Sequence, residues 1–310
     1  MTDACAVSRR QAGRPDGVVL LDKPVGLSSN VALQRVRRLF GAAKAGHTGS
    51  LDPLASGLLP ICLGQATRFS GYLLDAAKRY RVTGCLGTRT STGDVEGEVV
   101  ENCQWSHLDR HMFAAALAGF RGRTAQVPPM YSALKQGGER LYRKARRGEM
   151  VEREPREIQI YGLELLEWAP PSFSLVVACS KGTYVRTLVE DIARAARSCA
   201  HVTALRRDVA GPYSGDHMYT LEALEERAEQ GQEQLLEVVL PADSALQALP
   251  AVALEPGDAA RLVQGQLVDL PGGGEPGLVR VYGGGGFLGV GERTADGGLR
   301  AKRLLGVIET

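Results

Sequence analysis

Long apolar runs are missing from this chain of 310 residues, and aromatic side chains make up only 5% of it. No stretch approaches the ~20 consecutive apolar residues of a membrane helix. The start, Met-Thr-Asp-Ala-Cys-Ala-Val-Ser-Arg-Arg, leads into no apolar segment of signal-peptide length. The sequence therefore reads as a cytoplasmic protein with a flexible start over residues 1–16. Charge of one sign is also lacking, since 37 Lys and Arg against 35 Asp and Glu leave a formal net charge of +2. Any affinity for nucleic acid must then come from local patches. Six cysteines, at 5, 62, 85, 103, 179 and 199, form no CxxC pair and no regular framework. Several lie in apolar runs, the pattern of buried, reduced thiols.

Several common chemistries are excluded in the same way. There is no GxxxxGK[ST] phosphate loop and no GxSxG nucleophile elbow. His107 and His111 are four apart on an expected helix, but without a third ligand or a catalytic Glu they read as solvent-facing rather than as a zinc site. Gly284-Gly-Gly-Phe-Leu-Gly289 formally fits a dinucleotide fingerprint. The strand-like Phe287–Glu292 follows it where a Rossmann unit needs a helix, so it reads as a hairpin turn. Neither a metal nor a cofactor is expected.

What is present is ordinary globular material, 44% hydrophobic and 23% charged. Residues 17–22 form an apolar strand, and Ser28 or Ser29 caps a helix with Ala32, Val36, Leu39 and Phe40 at helical spacing. Strands are expected at 58–63, 80–86 and 172–179, the last with Phe173, Leu175, Val177 and Cys179 on one face. Helices are expected through Phe69, Tyr72 and Leu73, from about His107 to Leu117, and from Tyr184 to Arg197. Strands separated by helices and hairpins without regular βαβ alternation favour an α+β fold. Near Leu249 the texture changes. Ala248-Leu-Pro-Ala-Val-Ala-Leu-Glu-Pro256 reads as a linker into a small β-rich unit with one short helix at 258–264.

The most concentrated chemistry lies in residues 46–58, Gly-His-Thr-Gly-Ser-Leu-Asp-Pro-Leu-Ala-Ser-Gly-Leu, a shaped loop presenting His47 and Asp52. On its own, Asp52 followed by Pro53 reads more readily as a helix N-cap than as a nucleophile. The segment Lys44-Ala-Gly-His-Thr-Gly-Ser-Leu-Asp-Pro-Leu-Ala-Ser-Gly-Leu-Leu-Pro60, however, resembles the catalytic motif of the TruB family, the tRNA pseudouridine-55 synthases. Leu21-Asp-Lys-Pro-Val-Gly-Leu-Ser-Ser29, Lys78-Arg-Tyr-Arg-Val82, Gln126-Val-Pro-Pro-Met-Tyr-Ser-Ala-Leu-Lys135, Gly182-Thr-Tyr-Val-Arg-Thr-Leu188 and His201-Val-Thr-Ala-Leu-Arg-Arg207 extend the resemblance in order.

The resemblance implies a pseudouridine synthase fold over 17–248, with a central, mostly antiparallel sheet, flanking helices and a cleft. It also implies a PUA RNA-binding domain over 249–310. It makes Asp52 the catalytic nucleophile and Arg186 its cationic partner, with a guanidinium fork suited to a carboxylate. Tyr80 is expected to stack on the target uracil and to help remove the C5 proton. Tyr184 and Leu205 complete the base pocket, His47 helps hold the flipped-out nucleotide, and Lys23 and Pro24 shape the wall beside the loop. Residues taken alone leave plain alternatives: core tyrosines at 80 and 184, a surface salt bridge at Arg186, and a loop histidine at 47 bonding its own backbone.

The reaction implied is isomerisation of uridine 55 in the T-arm loop of tRNA by base flipping, without a cofactor. The carboxylate attacks either C1′ or C6, and the sequence does not choose between them. An insertion over about 126–157 carries a basic run whose Lys135, Arg143, Lys144, Arg146 and Arg147 are candidates for RNA phosphate, or else a solvated helix face. As a mobile flap it would suit a stand-alone monomeric enzyme. The alternatives are the catalytic subunit of a guide-RNA-dependent complex and a non-catalytic RNA chaperone.

Overall fold

Ser28 opens the first helix as the spacing predicts, its hydroxyl accepting from Val31 N at 3.2 Å. The computed structural model describes residues 15–270 and 274–306. The chain starts with β1 (Gly17–Lys23), α1 (Ser29–Leu39), β2 (Ala45–His47) and β3 (Ala55–Leu63). A 3-10 turn at Gly64–Phe69 leads into α2 (Ser70–Asp75) and then β4 (Lys78–Leu86). A small hairpin of β5 (Thr88–Thr90) and β6 (Val99–Asn102) is followed by α3 (Arg110–Ala118) and β7 (Gly122–Gln126). The insertion holds β8 (Lys135–Gln136), β9 (Glu139–Arg140) and α4 (Leu141–Arg146). Then come β10 (Arg156–Ala169), β11 (Ser172–Cys179), α5 (Val185–Ala195), β12 (Ala200–Ala210) and β13 (Tyr213–Ser214). The helices α6 (Leu221–Gln230) and α7 (Gln232–Glu237) close the larger unit.

Among the described residues these strands build a nine-stranded sheet in the order β1-β3-β12-β4-β11-β10-β7, with β2 on β3 and β13 on β12. Its pairings are antiparallel except that β12 runs parallel to β3. The alternation read from the sequence holds, for Phe173, Leu175, Val177 and Cys179 are all buried along β11. They face a core shared with α1, α3, α5 and α6 through Val36, Phe113, Val189 and Leu224. On the other face, Val18, Leu20, Leu58 and Cys62 pack against Phe69, Leu73 and Leu246.

The smaller unit comprises β14 (Ala251–Leu254), α8 (Pro256–Val263), β15 (Val268–Asp269), β16 (Gly277–Gly283), β17 (Gly286–Arg293) and β18 (Gly298–Leu304). Its sheet runs β14-β16-β17-β18-β15, and Gly284 and Gly285 turn the expected hairpin with positive φ. It shares core with the larger unit: Phe287 and Val290 join the Val18–Leu20 cluster, and Phe287 lies 5.4 Å from Phe69 between ring centres. The Tyr282 hydroxyl donates to Asp243 at 2.6 Å across the same boundary.

Four expectations change. The linker read over Ala248–Pro256 contains β14, because Ala-Val-Ala-Leu alternates and pairs in parallel with β16 once Arg280 N donates to Pro250 O at 2.7 Å. Not all cysteines are free: Cys103 and Cys199 form a disulfide across a Cα distance of 5.7 Å. The β5–β6 hairpin folds back beside the start of β12, where Gly87 bonds to both of their backbones. Cys62 and Cys179 are free and buried, whereas Cys85 is half-exposed. His107 precedes α3, which starts only after its N-cap Asp109, so the two histidines do not share a helix. Residues 1–14 of the expected flexible start lie outside the described residues, but Asp16 is anchored, accepting from Gln65 N at 2.7 Å. Among the described residues no helix is long and apolar enough to cross a membrane.

Candidate active site

Asp52 does not cap a helix. Its carbonyl accepts from Ala55 N at 3.0 Å, and the turn at Pro53 runs directly into β3. The loop is held from three sides. Ser29, at the start of α1, accepts from Leu51 N at 2.7 Å and donates to Leu51 O at 2.9 Å. Gly26 N donates to Pro53 O at 2.8 Å. Lys23, fully buried at the end of β1, donates to Leu27 O at 2.7 Å and Pro24 O at 2.8 Å, shaping the expected wall. The apolar flanks Leu51, Leu54 and Ala55 sink into the main core. A carboxylate on a loop tethered this way is preorganised rather than mobile.

Arg186 reaches it from the first turn of α5. Its side chain is 4% exposed, and Nε stands 2.8 Å from Asp52 Oδ2. This is no surface salt bridge. Nη1 lies 3.6 Å from Asp94 Oδ2 and donates to Thr92 O, while Nη2 donates to Tyr131 O at 2.9 Å. The start of α5 is fixed by Gln126, whose amide oxygen accepts from Tyr184 N at 2.8 Å and whose amide nitrogen donates to Tyr184 O at 3.1 Å. Asp94 is itself oriented, accepting from Thr92 Oγ1 at 2.6 Å and Glu96 N at 3.1 Å. One buried guanidinium thus serves two carboxylates and two carbonyls, which fixes its plane.

Burial pushes the Asp52 carboxyl above the ordinary aspartate range, Arg186 opposes that shift, and the Asp94 charge adds to it. The Asp52 side chain is still 39% exposed, so solvent reaches it. Tyr80 and Tyr184 both lie within electrostatic reach of Asp52, and burial raises both phenols. Tyr80 projects from β4 on the face that carries Val82, packed against the main core. Leu205 is buried on β12, paired with Val82 on one side and Ala55 on the other. His47 belongs to the short strand β2 rather than to free loop. Burial and then the charges of Arg207 and Arg140 lower its imidazole, which favours the neutral ring. Its Nδ1 is buried with no hydrogen-bond partner among the described residues.

The structure therefore brings Asp52, Arg186, Tyr80 and Tyr184 together, with Leu205 and His47 on the strands flanking the loop. Three residues of the site were not singled out in the sequence: Asp94, Lys78 and Arg207. Asp94 sits in Ser91-Thr-Gly-Asp94, which looks like turn chemistry. Lys78 is buried, donates to Leu74 O at 2.7 Å and Ala76 O at 2.6 Å, and is lowered to about 8, mainly by burial. Arg206 and Arg207 are adjacent on a strand, so one of them has to face inward. That signal was available.

The insertion meets the site through Gln126 and Tyr131, and its Arg140 is close enough to act on His47. Lys135, Arg143 and Arg146 are exposed and Lys144 is half-exposed. Arg146 lies over the Tyr142 ring at 5.8 Å. Arg147 differs from the others: it donates to both Glu139 oxygens at 2.7 and 2.8 Å and to Glu149 at 2.7 Å.

Known proteins share the sequence and the fold of this chain. The N-terminal domain model of TruB family pseudouridylate synthases matches residues 37–185. The tRNA pseudouridylate synthase B C-terminal domain model matches 186–247, and a further TruB C-terminal model, described as pseudouridine synthase II, matches 250–305. The tRNA pseudouridine synthase B of Nitrosococcus oceani is 51% identical over 290 residues, 93% of this chain and 94% of that protein. The protein of the same name from Vibrio cholerae is 48% identical over 309 residues, covering 96% and 99%. Among solved structures, a Cbf5-Nop10-Gar1 complex contains a chain that superposes with a TM-score of 0.72 at 26% identity, over 94% of this chain and 85% of that one. A chain in an H/ACA ribonucleoprotein bound to substrate RNA gives 0.72 at 22% identity, over 96% and 92%, which speaks to the fold alone. The pairing of Asp52 with Arg186 on a tethered loop, together with identity near one half over almost the whole chain, leads to one conclusion: this chain belongs to the TruB family of pseudouridylate synthases.

Proposed function

We propose that this chain acts on tRNA in the cytoplasm, isomerising uridine 55 of the T-arm loop to pseudouridine, with Asp52 as nucleophile. The observation that carries the reading is the Arg186–Asp52 ion pair at 2.8 Å, with the arginine buried and the aspartate accessible. The reaction breaks N1–C1′, turns the uracil and joins C5 to C1′; the C5 proton leaves and N1 gains one. Asp52 must be ionised to attack either C1′ or C6, and burial opposes ionisation, so the role of Arg186 is to restore the charge and aim the oxygen. Tyr80 offers the uracil a flat face and, once C5 is bonded to C1′, an oxygen that can take the C5 proton. Tyr184 and Leu205 bound the base, and a neutral His47 supports the flipped nucleotide by hydrogen bonding.

Extraction of a stacked uridine costs a few kcal/mol, offset by pocket contacts and by backbone electrostatics. Lys135, Arg143, Lys144 and Arg146 supply positive charge for the phosphates, and the β-rich C-terminal unit, read as a PUA domain, adds further grip. The name shared by the relatives from Nitrosococcus oceani and Vibrio cholerae supports tRNA as substrate. An RNA-gripping insertion of its own favours action as a monomer without a guide RNA. A non-catalytic chaperone would have no use for a carboxylate facing RNA phosphate. The test is to incubate the purified protein with an unmodified T-arm stem-loop and map the product. Pseudouridine at position 55 alone is expected, and its absence there, or its dependence on an added guide RNA, would contradict the proposal.

A further inference from the structure

Arg207 is 1% exposed and is among the largest fully buried side chains of the protein. Its charge lacks a carboxylate. Asp52 and Asp94 pair with Arg186, Asp22 pairs with Arg206, and Asp208 with Arg81 and Arg206, leaving none on Arg207 among the described residues. Two further buried cations, Lys23 and Lys78, lie close enough for the Arg207 charge to disfavour theirs. A buried cation among cations is costly, and a side chain needed only to fill space would serve at least as well as Met or Leu.

The contacts of Arg207 show what it holds. Nε donates to Leu58 O at 2.7 Å and Nη2 donates to Gly49 O at 3.0 Å. Those carbonyls lie on either side of Asp52 in the chain. Across the β12–β4 ladder Arg207 stands opposite Tyr80, and its guanidinium is near enough to the phenol to favour the ionised form. On the other side it stands opposite Gly57 of β3, whose φ is +97°. A Cβ at Gly57 would fall 2.4 Å from Arg207 O, so glycine is what lets the two strands close at this point.

We propose that Arg207 is a positioning residue that fixes the Asp52 loop and the Tyr80 phenol relative to one another, one guanidinium gripping the loop by two carbonyls and facing the phenol across the strand pair. The inference rests on the assignment of Asp52 and Tyr80 to the uridine pocket. A guanidinium has no acceptor, so towards Arg207 the Tyr80 oxygen can only accept. The positive charge also favours phenolate over phenol, in opposition to burial. Both effects suit an oxygen that has to receive a proton from C5.

The contact can be read directly by 19F NMR of the full-length chain labelled with 3-fluorotyrosine, the Tyr80 resonance being assigned by its loss in Tyr80→Phe. In Arg207→Met that resonance shifts and its ionisation midpoint moves to higher pH, while tyrosines remote from the site stay in place. Single-turnover isomerisation of a T-arm stem-loop falls about 100-fold in Arg207→Met, the scale of a small misplacement of reacting groups. It falls about 10-fold in Arg207→Lys, which keeps charge but not the fork. RNA affinity stays within about threefold in both, because neither loses a phosphate contact. If Arg207→Met does not fold, Arg207→Lys carries the same two readouts. A Tyr80 resonance unmoved in the folded variants, or wild-type rates in them, would overturn the proposal and return Arg207 to packing. If instead the wild-type protein isomerises no uridine, the functional reading fails, whereas the Tyr80 resonance still reports whether Arg207 holds the phenol.

Discussion

Arg186 Nε stands 2.8 Å from Asp52 Oδ2, and the same guanidinium reaches Asp94 Oδ2 at 3.6 Å. Asp52 comes from the turn before β3, Arg186 from the first turn of α5, and Asp94 from the turn between β5 and β6. The pair is therefore a tertiary product of three segments distant in sequence. Lysine at 186 would keep the charge but could not donate to Thr92 O, Tyr131 O and two carboxylates together. Arg186→Lys is expected to lower the single-turnover rate about 100-fold with a change in RNA affinity under about threefold. Chemical quench of a labelled stem-loop, beside a filter-binding titration, measures both.

The pH dependence follows from the direction of the Asp52 shift. Its carboxyl is raised by burial first and by the Asp94 charge among the further causes, so the ionised form is lost as pH falls through a value above that of ordinary aspartate. The acid limb of the rate profile belongs there. Asp94→Asn removes one raising influence, so the limb should move to lower pH, even though the plateau rate falls because Arg186 loses a partner. A limb that moves upward would contradict the electrostatic account of the site.

Much of this architecture is legible in the sequence. Period-two burial in β11 and the Ser28 cap follow from local chemistry alone. What was not legible depends on partners remote in the chain. β14 lies between Pro250 and Pro256, and it becomes a strand only because β16 offers it an edge. Cys103 and Cys199 are 96 residues apart, and no spacing rule pairs them. Asp94 looks like a turn residue until Arg186 arrives beside it. Asp52 itself, read from the residues alone, favours an N-cap, and only its motif context raises it to a nucleophile.

The insertion carries the clearest electrostatic expectation. Neutralising Lys135, Arg143, Lys144 and Arg146 should flatten the salt dependence of RNA binding, each lost phosphate contact reducing the slope by about 0.7–0.9. Arg147→Gln should do less to the slope and more to the order of the insertion, because Arg147 already joins Glu139 and Glu149. Binding titrations between low and moderate salt decide this. An unchanged slope in the quadruple variant would place the RNA elsewhere.

The C-terminal unit is more than an appendage. Phe287 is 6% exposed and packs on Phe69, so Phe287→Ala should cost about 3 kcal/mol in chemical denaturation. Truncation after Leu249 uncovers the same face and removes the Tyr282–Asp243 bond. The shortened chain should melt at a lower temperature and show a higher KM, with little change in kcat once folded. A loss of kcat equal to the loss of kcat/KM would mean that the unit acts on the chemical step.

The proposed role of Asp52 is tested most directly by release of tritium from a T-arm stem-loop carrying [5-3H]uridine at position 55, measured in single turnover for wild type and Asp52→Asn. Asparagine keeps size and hydrogen bonding, so the variant should fold and bind RNA at least as tightly, one negative charge near phosphate having been removed. Wild-type protein should release the label completely, and Asp52→Asn should release none above the uncatalysed background. Appreciable release by a folded, RNA-bound Asp52→Asn would contradict the account.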